Sequence, residues 1–368
     1  MNELLSAADE YPIHQTPEPI AVSGSDNNFY DRFWFNAYSR DGRSLFAMAM
    51  GLYPNLNVHD AAACIVHNDR QQSLFASRLL GLDRLNLTVK PMSVSVDKPL
   101  EQISIRIDSN EYGIEGELVL TGRASPIQEP RFTWRLGTRT IMDLTRMSQS
   151  CVINGWLKMD GERIDVDGWW GTRDRSWGVR SVGGANQSPF PPEMDPQFFW
   201  IWCPFNGDNH LMYWHTNDDA TGKPWNRSSL LVPLHGGAPV EVEMPRAELK
   251  FRSGTRHLEY ARLTGETPNG PVAMELFPEW NFYMKSVGYG HPEWGHSAYQ
   301  GEYATHFEQS INSEIDETEW HNNHVQACSR AVLHLPDGTQ ENGRAMLEQL
   351  FIGESRPYGL KSLFDMAP

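Results

Sequence analysis

The sequence predicts an all-β protein of two antiparallel domains of similar size. Short alternating apolar and polar runs recur along the chain, each broken by Gly, Asp, Asn or Pro. This is the pattern of a sandwich or barrel. No long stretch keeps the spacing of an amphipathic helix. A Pro- and Gly-rich stretch, Ser181–Pro196, falls near the midpoint of the 368 residues, and a chain of that length suggests two domains at roughly 150 residues each.

Ser44–Met50 is almost wholly apolar and reads either as a short helix or as a buried strand. In Glu101–Ile107, Ile103, Ile105 and Ile107 alternate with Ser104 and Arg106, and Glu117–Leu120 follows after a Tyr-Gly break. Ile141–Ser150 has helical spacing at Met142, Thr145 and Ser150 and predicts at most a turn or two of helix. Asn154–Met159 and Arg163–Trp170 flank Asp160-Gly161-Glu162 as a hairpin. Ser181–Pro196 holds Gly183, Gly184, Pro189, Pro191, Pro192 and Pro196, cannot sustain a ladder, and reads as a linker. Beyond it, Phe198–Phe205 and His210–His215 flank Asn206–Asn209 as a second hairpin. Ala247–Arg252 and His257–Leu263 flank Ser253-Gly254, and Val325–Leu335 ends at Pro336-Asp337-Gly338. The expected domains are an N-terminal arm (1–24), a first barrel (25–185) and a second (186–368).

Thirty-one Lys and Arg against 47 Asp and Glu give a net charge of −16. Such a chain is a poor partner for nucleic acid or anionic membranes. No apolar run is long enough to span a bilayer, so stable membrane insertion is not expected. A hydrophobic content of 40%, with 16 Phe, 13 Trp and 12 Tyr, excludes a mainly disordered chain. Cys64, Cys151, Cys203 and Cys328 form no CxxC pattern and read as buried residues in a reducing compartment. Met1–Glu10 lacks a basic stretch followed by an apolar one, so a cytoplasmic location is expected. A homodimer is left open.

The segment from Gly168 to Arg180 packs Trp169, Trp170, Trp177, Arg173, Arg175, Arg180 and Asp174 between glycines. One reading is a strand end with an Arg–Asp pair stacked on tryptophan. The run Arg173-Asp174-Arg175-Ser176-Trp177-Gly178 also resembles the "RDHSWG" signature of the two-lipocalin proteins around carotenoid 1,2-hydratase (hydroxyneurosporene synthase) and the AttH-like proteins. Asp143–Ser150 resembles the "LTRFEQS"-type strand before that signature. Gly288–His296 resembles the "GYGHPEWGH" segment of the second domain in an uncharacterised bacterial subgroup. The resemblance implies two consecutive lipocalin-like antiparallel β-barrels with a ligand site where they meet. It also implies relatives that are hydratases, cyclases or non-catalytic lipid binders. In the hydratase branch the signature Asp protonates an isoprenoid double bond, and Asp174 aligns with it. The chain departs from that branch at Thr172, where the branch has Tyr, and at Arg175, where His is usual. It also lacks the upstream His-x-Trp pair.

Protonating an alkene needs a carboxyl group kept neutral in a dry pocket, with aromatic walls to steady positive charge. Asp174 lies among Trp169, Trp170 and Trp177, with Trp214 and Trp294 elsewhere in the chain. Strand alternation sends Arg173 and Arg175 to one face and Asp174 to the other. Either Arg could instead pair with Asp174 or bind a substrate oxygen. His291, Glu293 and His296 do not have HExxH spacing, and a hydrogen-bonding or acid–base role suits His291 and His296 better than a metal. The expected catalytic groups are Asp174, His291 and His296. The expected substrate-binding groups are Arg173, Arg175, Trp177, Trp170, Gln149, Trp214, Tyr289, Glu293 and Trp294. No glycine-rich phosphate loop or nucleophile elbow is present, and no cofactor or metal is expected.

Two functions fit these residues. One is a cofactor-independent acid–base enzyme on a small apolar terpenoid, steroid or polyketide, catalysing hydration or dehydration, isomerisation or cyclisation. The other is a non-catalytic carrier of a hydrophobic ligand, since a barrel can offer an apolar cavity. A third reading, a binding surface for a protein partner, rests only on the aromatic excess.

Overall fold

The computed structural model describes residues 5–12, 26–136, 139–180 and 197–368. The expected Ser181–Pro196 linker lies outside them. The chain divides into two compact units, Met1–Gln187 with Ser286–Ile311, and Ser188–Lys285 with Asn312–Pro368. Both are curled antiparallel sheets, and no α-helix occurs among the described residues. The fold is two lipocalin-like β-barrels, one nearly closed and one a half-barrel.

In chain order the strands before the midpoint are β1 (Phe29–Tyr38), β2 (Ser44–Tyr53), β3 (Val58–His67), β4 (Arg70–Leu79), β5 (Thr88–Val89), β6 (Met92–Lys98) and β7 (Gln102–Ile107). Then come β8 (Glu115–Gly122), β9 (Ile127–Gln128), β10 (Phe132–Leu136), β11 (Arg139–Met159) and β12 (Glu162–Arg180). After it follow β13 (Phe198–Asn206), β14 (His210–Asp218), β15 (Pro224–Pro233), β16 (Val240–Glu241), β17 (Glu243–Phe251), β18 (Leu258–Thr267) and β19 (Gly270–Tyr283). The last are β20 (Tyr303–Ile311), β21 (Val325–His334) and β22 (Gln340–Ile352).

The first sheet runs β20-β4-β3-β2-β1-β12-β11-β8-β7-β6-β5, with β9 and β10 pairing to β11. The second runs β16-β15-β14-β13-β22-β21-β19-β18-β17. The expected hairpins at Asp160-Gly161 and Asn206–Asn209 join β11 to β12 and β13 to β14. Two expectations change. Ile141–Ser150 is part of β11, because β12 holds one of its edges while β10 and β9 hold the other, and ladder pairing on both sides overrides local helical spacing. Residues 186–368 are not all one domain: β20 pairs with β4 through nine residues, Tyr303 to Ile311, and takes Ser286–Ile311 into the first unit.

Strands β1 to β3 are buried on both faces; β2 is accordingly a nearly continuous apolar run, while β1 and β3 bury Asp31, Arg32, Asn36, His59 and Asp60 among apolar residues. Their register separates the faces. Phe33, Phe35, Met48, Met50, Ala61, Ala63, Leu74 and Ala76 join Ile103, Ile105, Leu118, Leu120 and Ile153 in one core cluster. Strands from all round the sheet meet there, as they do inside a curled sheet. The interior of the first unit is therefore filled by side chains. The opposite face of β1 carries Tyr30, Arg32 and Trp34. A second core, built on Phe199, Phe205, Trp214, Leu263, Met274 and Leu347, fills the second unit. All four cysteines are buried free thiols. No helix of the described residues is long and apolar enough to cross a membrane.

Candidate functional site

Residues directly opposed across antiparallel strands share a face. Trp34 on β1 is opposed by Asp174 on β12 and Ala49 on β2, and Ala49 by Ala62 on β3. One row along, Arg32 is opposed by Ser176 and Gly51, and Gly51 by Asp60. The outer face of the first sheet thus sets Asp174, Trp34, Arg32 and Asp60 around a floor of glycine and alanine.

Arg32 is 2% exposed and has no carboxylate within ion-pair distance among the described residues. Its Nη2 donates to Tyr53 Oη at 2.9 Å. Its guanidinium carbon lies 5.2 Å from the Tyr30 ring centroid and 5.0 Å from that of Tyr289. Burial opposes its charge, but the tyrosines and the Asp60 carboxylate outweigh burial and hold the guanidinium protonated. Burial likewise raises the Tyr53 phenol. Gly51 allows this contact, since a Cβ there would lie 2.2 Å from Tyr53 Oη.

The segment between β19 and β20 supplies the rest. Tyr289 meets Trp34 edge-on at 5.8 Å and the His296 ring at 4.6 Å. Gly288, at φ +95°, takes the His296 ring against its Cα, and its carbonyl accepts the His296 N–H at 3.2 Å. Asp60 Oδ2 accepts from Ser297 N at 2.6 Å, and Oδ1 lies 3.5 Å from His296 Nδ1. Burial, reinforced by Arg32, lowers the His296 pKa to about 4, so the ring is neutral at pH 7. Nδ1 faces the carboxylate at ion-pair distance, and Nε2 is buried and has no partner among the described residues. Four other buried polar atoms here also lack a hydrogen-bond partner among them: Asp60 Oδ1, Tyr30 Oη, Arg32 Nε and Trp34 Nε1.

The expected residues divide sharply. Asp174, His296 and Tyr289 belong to this face. Arg173 and Arg175 project to the opposite face, as alternation requires, and their hydrogen bonds are taken up there except at Arg175 Nε, which has no partner among the described residues. Arg173 donates to both Glu10 carboxylate oxygens at 2.6 and 2.8 Å and to Gln149 Oε1 at 2.7 Å. Arg175 pairs with Asp31 at 2.5 Å, donates to the Glu10 carbonyl, and lies over the Phe33 ring. Gln149 also donates to the carbonyls of Leu100 and Ala124. Trp177 shares this inner face, opposite Asp31. The Trp170 ring is in contact with the guanidinium groups of Arg40 and Arg123, at 3.3 and 5.0 Å from its centroid.

His291 uses both ring nitrogens. Nδ1 accepts from the backbone N–H groups of Glu293 and Trp294 at 3.1 and 2.8 Å, and Nε2 meets Glu308 at 2.9 Å. Glu308 also contacts His306, and the two histidines hold its carboxyl down at about 2. Trp294 stacks on His306 at 5.3 Å. Glu293 is exposed. Trp214 belongs to the second unit's core, 1% exposed. No group of three or more His, Cys, Asp or Glu among the described residues is placed to hold a metal.

Reading by motif missed Arg32, Tyr53, Tyr30, Trp34, Asp60 and Glu10. A signal existed for four of these. Tyr30, Arg32 and Trp34 alternate with Phe33 and Phe35, and Asp60 interrupts the apolar run of β3. Glu10 carried none.

Fold and site define a two-lipocalin β protein with a buried histidine–carboxylate pair on the outer face of its first sheet. By sequence the chain belongs to a family of unknown function (DUF8625), which matches residues 5–361. No curated protein matches it. Among solved structures it is similar to an AttH-type protein from Nitrosomonas europaea, at 12% identity and TM-score 0.53, over 88% of this chain and 94% of that one. It is similar to kievitone hydratase from Nectria haematococca, at 10% identity and TM-score 0.52, over 94% and 93%. CghA in complex with Sch210972 matches at 10% identity and TM-score 0.51, over 88% and 89%.

Proposed function

We propose that the protein is a cofactor-independent proton-transfer enzyme acting on a small, largely apolar substrate by hydration or dehydration, isomerisation or cyclisation. The observation that carries this is the buried His296–Asp60 pair, with an unpartnered Nε2, on the same sheet face as Asp174. A neutral imidazole oriented by a carboxylate is a general base. In the dehydrating direction His296 Nε2 takes a proton from carbon, and Asp174 protonates the departing hydroxyl, which leaves as water. Hydration runs the same steps backwards. Arg173 and Arg175 hold the wall on which Asp174 stands, and His291 shapes the segment that presents Tyr289 and His296. The likeness to kievitone hydratase supports this class of reaction. The filled interior of the first unit speaks against a ligand carried inside that barrel.

Wild type, Asp174→Asn and His296→Gln should be incubated with terpenoid, steroid and polyketide compounds in ordinary and heavy water and read by mass spectrometry. We expect wild type to add or remove water, or to incorporate deuterium at constant formula. Each variant should fall at least 100-fold, the scale of a lost acid or base. Retention of the same unchanged lipids by all three would establish a carrier instead.

A further inference from the structure

Resting on that reading, we infer that the substrate carries a carbonyl conjugated to the reacting carbons, and that Arg32, Tyr30 and Trp34 form the site for the enolate oxygen it develops. A buried guanidinium is ordinarily neutralised by a carboxylate, as Arg173 and Arg175 are here by Glu10 and Asp31. Arg32 is buried as deeply but, among the described residues, has a phenol and no carboxylate as its partner; its Nε–H has no acceptor among them, a state it shares with Arg175 Nε. Among the described residues Trp34 Nε1–H, also buried, is a second donor without an acceptor, and Tyr30 Oη is a third unpartnered group. The three residues stand at alternate positions of one strand, so they share a face. Arg32 and Trp34 both pack on Tyr289, whose ring contacts His296.

These groups share a sheet face with two unpartnered acceptors, His296 Nε2 and Asp60 Oδ1. Unsatisfied buried donors are costly, and preorganised donors are most effective where negative charge develops. A hydrocarbon substrate would leave all three unsatisfied, whereas an enolate or phenolate oxygen would satisfy them. The step balances. His296 Nε2 takes the proton on the carbon next to the carbonyl, and that C–H electron pair becomes the enolate double bond. The carbonyl oxygen takes the negative charge and is held by Arg32, Tyr30 and Trp34. When the enolate collapses, the β C–O bond breaks and its hydroxyl leaves with the Asp174 proton as water.

The test is binding, read without turnover. Enol acids and phenols of graded size, beginning with 4-hydroxycoumarin, are titrated calorimetrically against wild type, each beside its own methyl ether. The pH is set above the acid's own pKa. We expect at least one ionised acid to bind tenfold or more tightly than its ether. Arg32→Met should bring that ratio close to one, and Arg32→Lys should restore part of it. Arg32→Met should melt at or above the wild-type temperature, because a buried charge with no carboxylate at ion-pair distance among the described residues is removed. Trp34→Phe, which deletes one donor but keeps the aromatic surface, should lower the ratio at least threefold and serves where Arg32→Met does not fold. The proposal is overturned if no acid outbinds its ether, which would leave the donors to water. It is also overturned if the preference survives in Arg32→Met. The proton-transfer reading fails separately, by absence of any water or deuterium change in the turnover assay.

Discussion

Gly51 stands between Arg32 on one neighbouring strand and Asp60 on the other, with the Tyr53 phenol folded back over it. Gly51→Ala puts a methyl group where the phenol lies. The Tyr53 ring must swing away and give up its bond to Arg32. The expected cost is about 1–3 kcal/mol from overpacking, read by urea unfolding, together with weaker binding of the enol acids. The variant should keep the wild-type β circular-dichroism spectrum. Unchanged stability and unchanged affinity together would show that the Tyr53–Arg32 contact carries no function. Asp174 was singled out by the resemblance of its segment to a family signature, and strand alternation correctly separated it from Arg173 and Arg175. Arg32 and Asp60 left a signal as charges in apolar strands, but such a charge acquires meaning only when its partners are seen.

Among the elements, the short N-terminal turn Ala7–Glu10 does more than its length suggests. Ser6 caps it, with its hydroxyl accepting from Ala8 N and its own N–H donating to Asp9. Glu10, wholly buried, then reaches Arg173, Arg175 and the backbone of Leu100. Glu10→Gln leaves the Arg173 guanidinium without its carboxylate. Breaking a buried pair from one side costs about 3–5 kcal/mol, which chemical denaturation should show. Glu10→Gln with Arg173→Met should recover most of the loss. Because Asp174 follows Arg173 on β12, the single variant should also lower turnover, and the double variant should restore part of it. The strands themselves were readable wherever one face is solvated, as in Glu101–Ile107. The doubly buried β2, where alternation vanishes, reads equally as helix or strand.

For the molecule as a whole, acid is a specific stress. Burial holds His59 at about 3 and His257 and His296 at about 4, well under the ordinary 6.5. Unfolding lets all three take up protons below pH 6.5. Stability is therefore full above that value and falls as the pH drops towards 4, by up to about 4 kcal/mol per pH unit for three groups. Urea midpoints at pH 7.5, 6, 5 and 4 should decline steeply, and His257→Asn should flatten the decline. Two antiparallel barrels were legible from length and the alternating runs, but the return of Ser286–Ile311 to the first unit was not. Nothing local in β20 announces that its partner, β4, lies more than two hundred residues earlier. A protease site inserted at 188 tests that return: the two fragments should coelute on gel filtration and separate only in denaturant. Synthesis makes the same arrangement a matter of time. When residue 187 has left the ribosome, β4 is a bare edge and Asp60 has no histidine. At about 5–20 residues per second, the strand and the imidazole that complete them follow on the order of ten seconds later. Until then the nascent chain presents an open β edge, a template for its own neighbours on the same message.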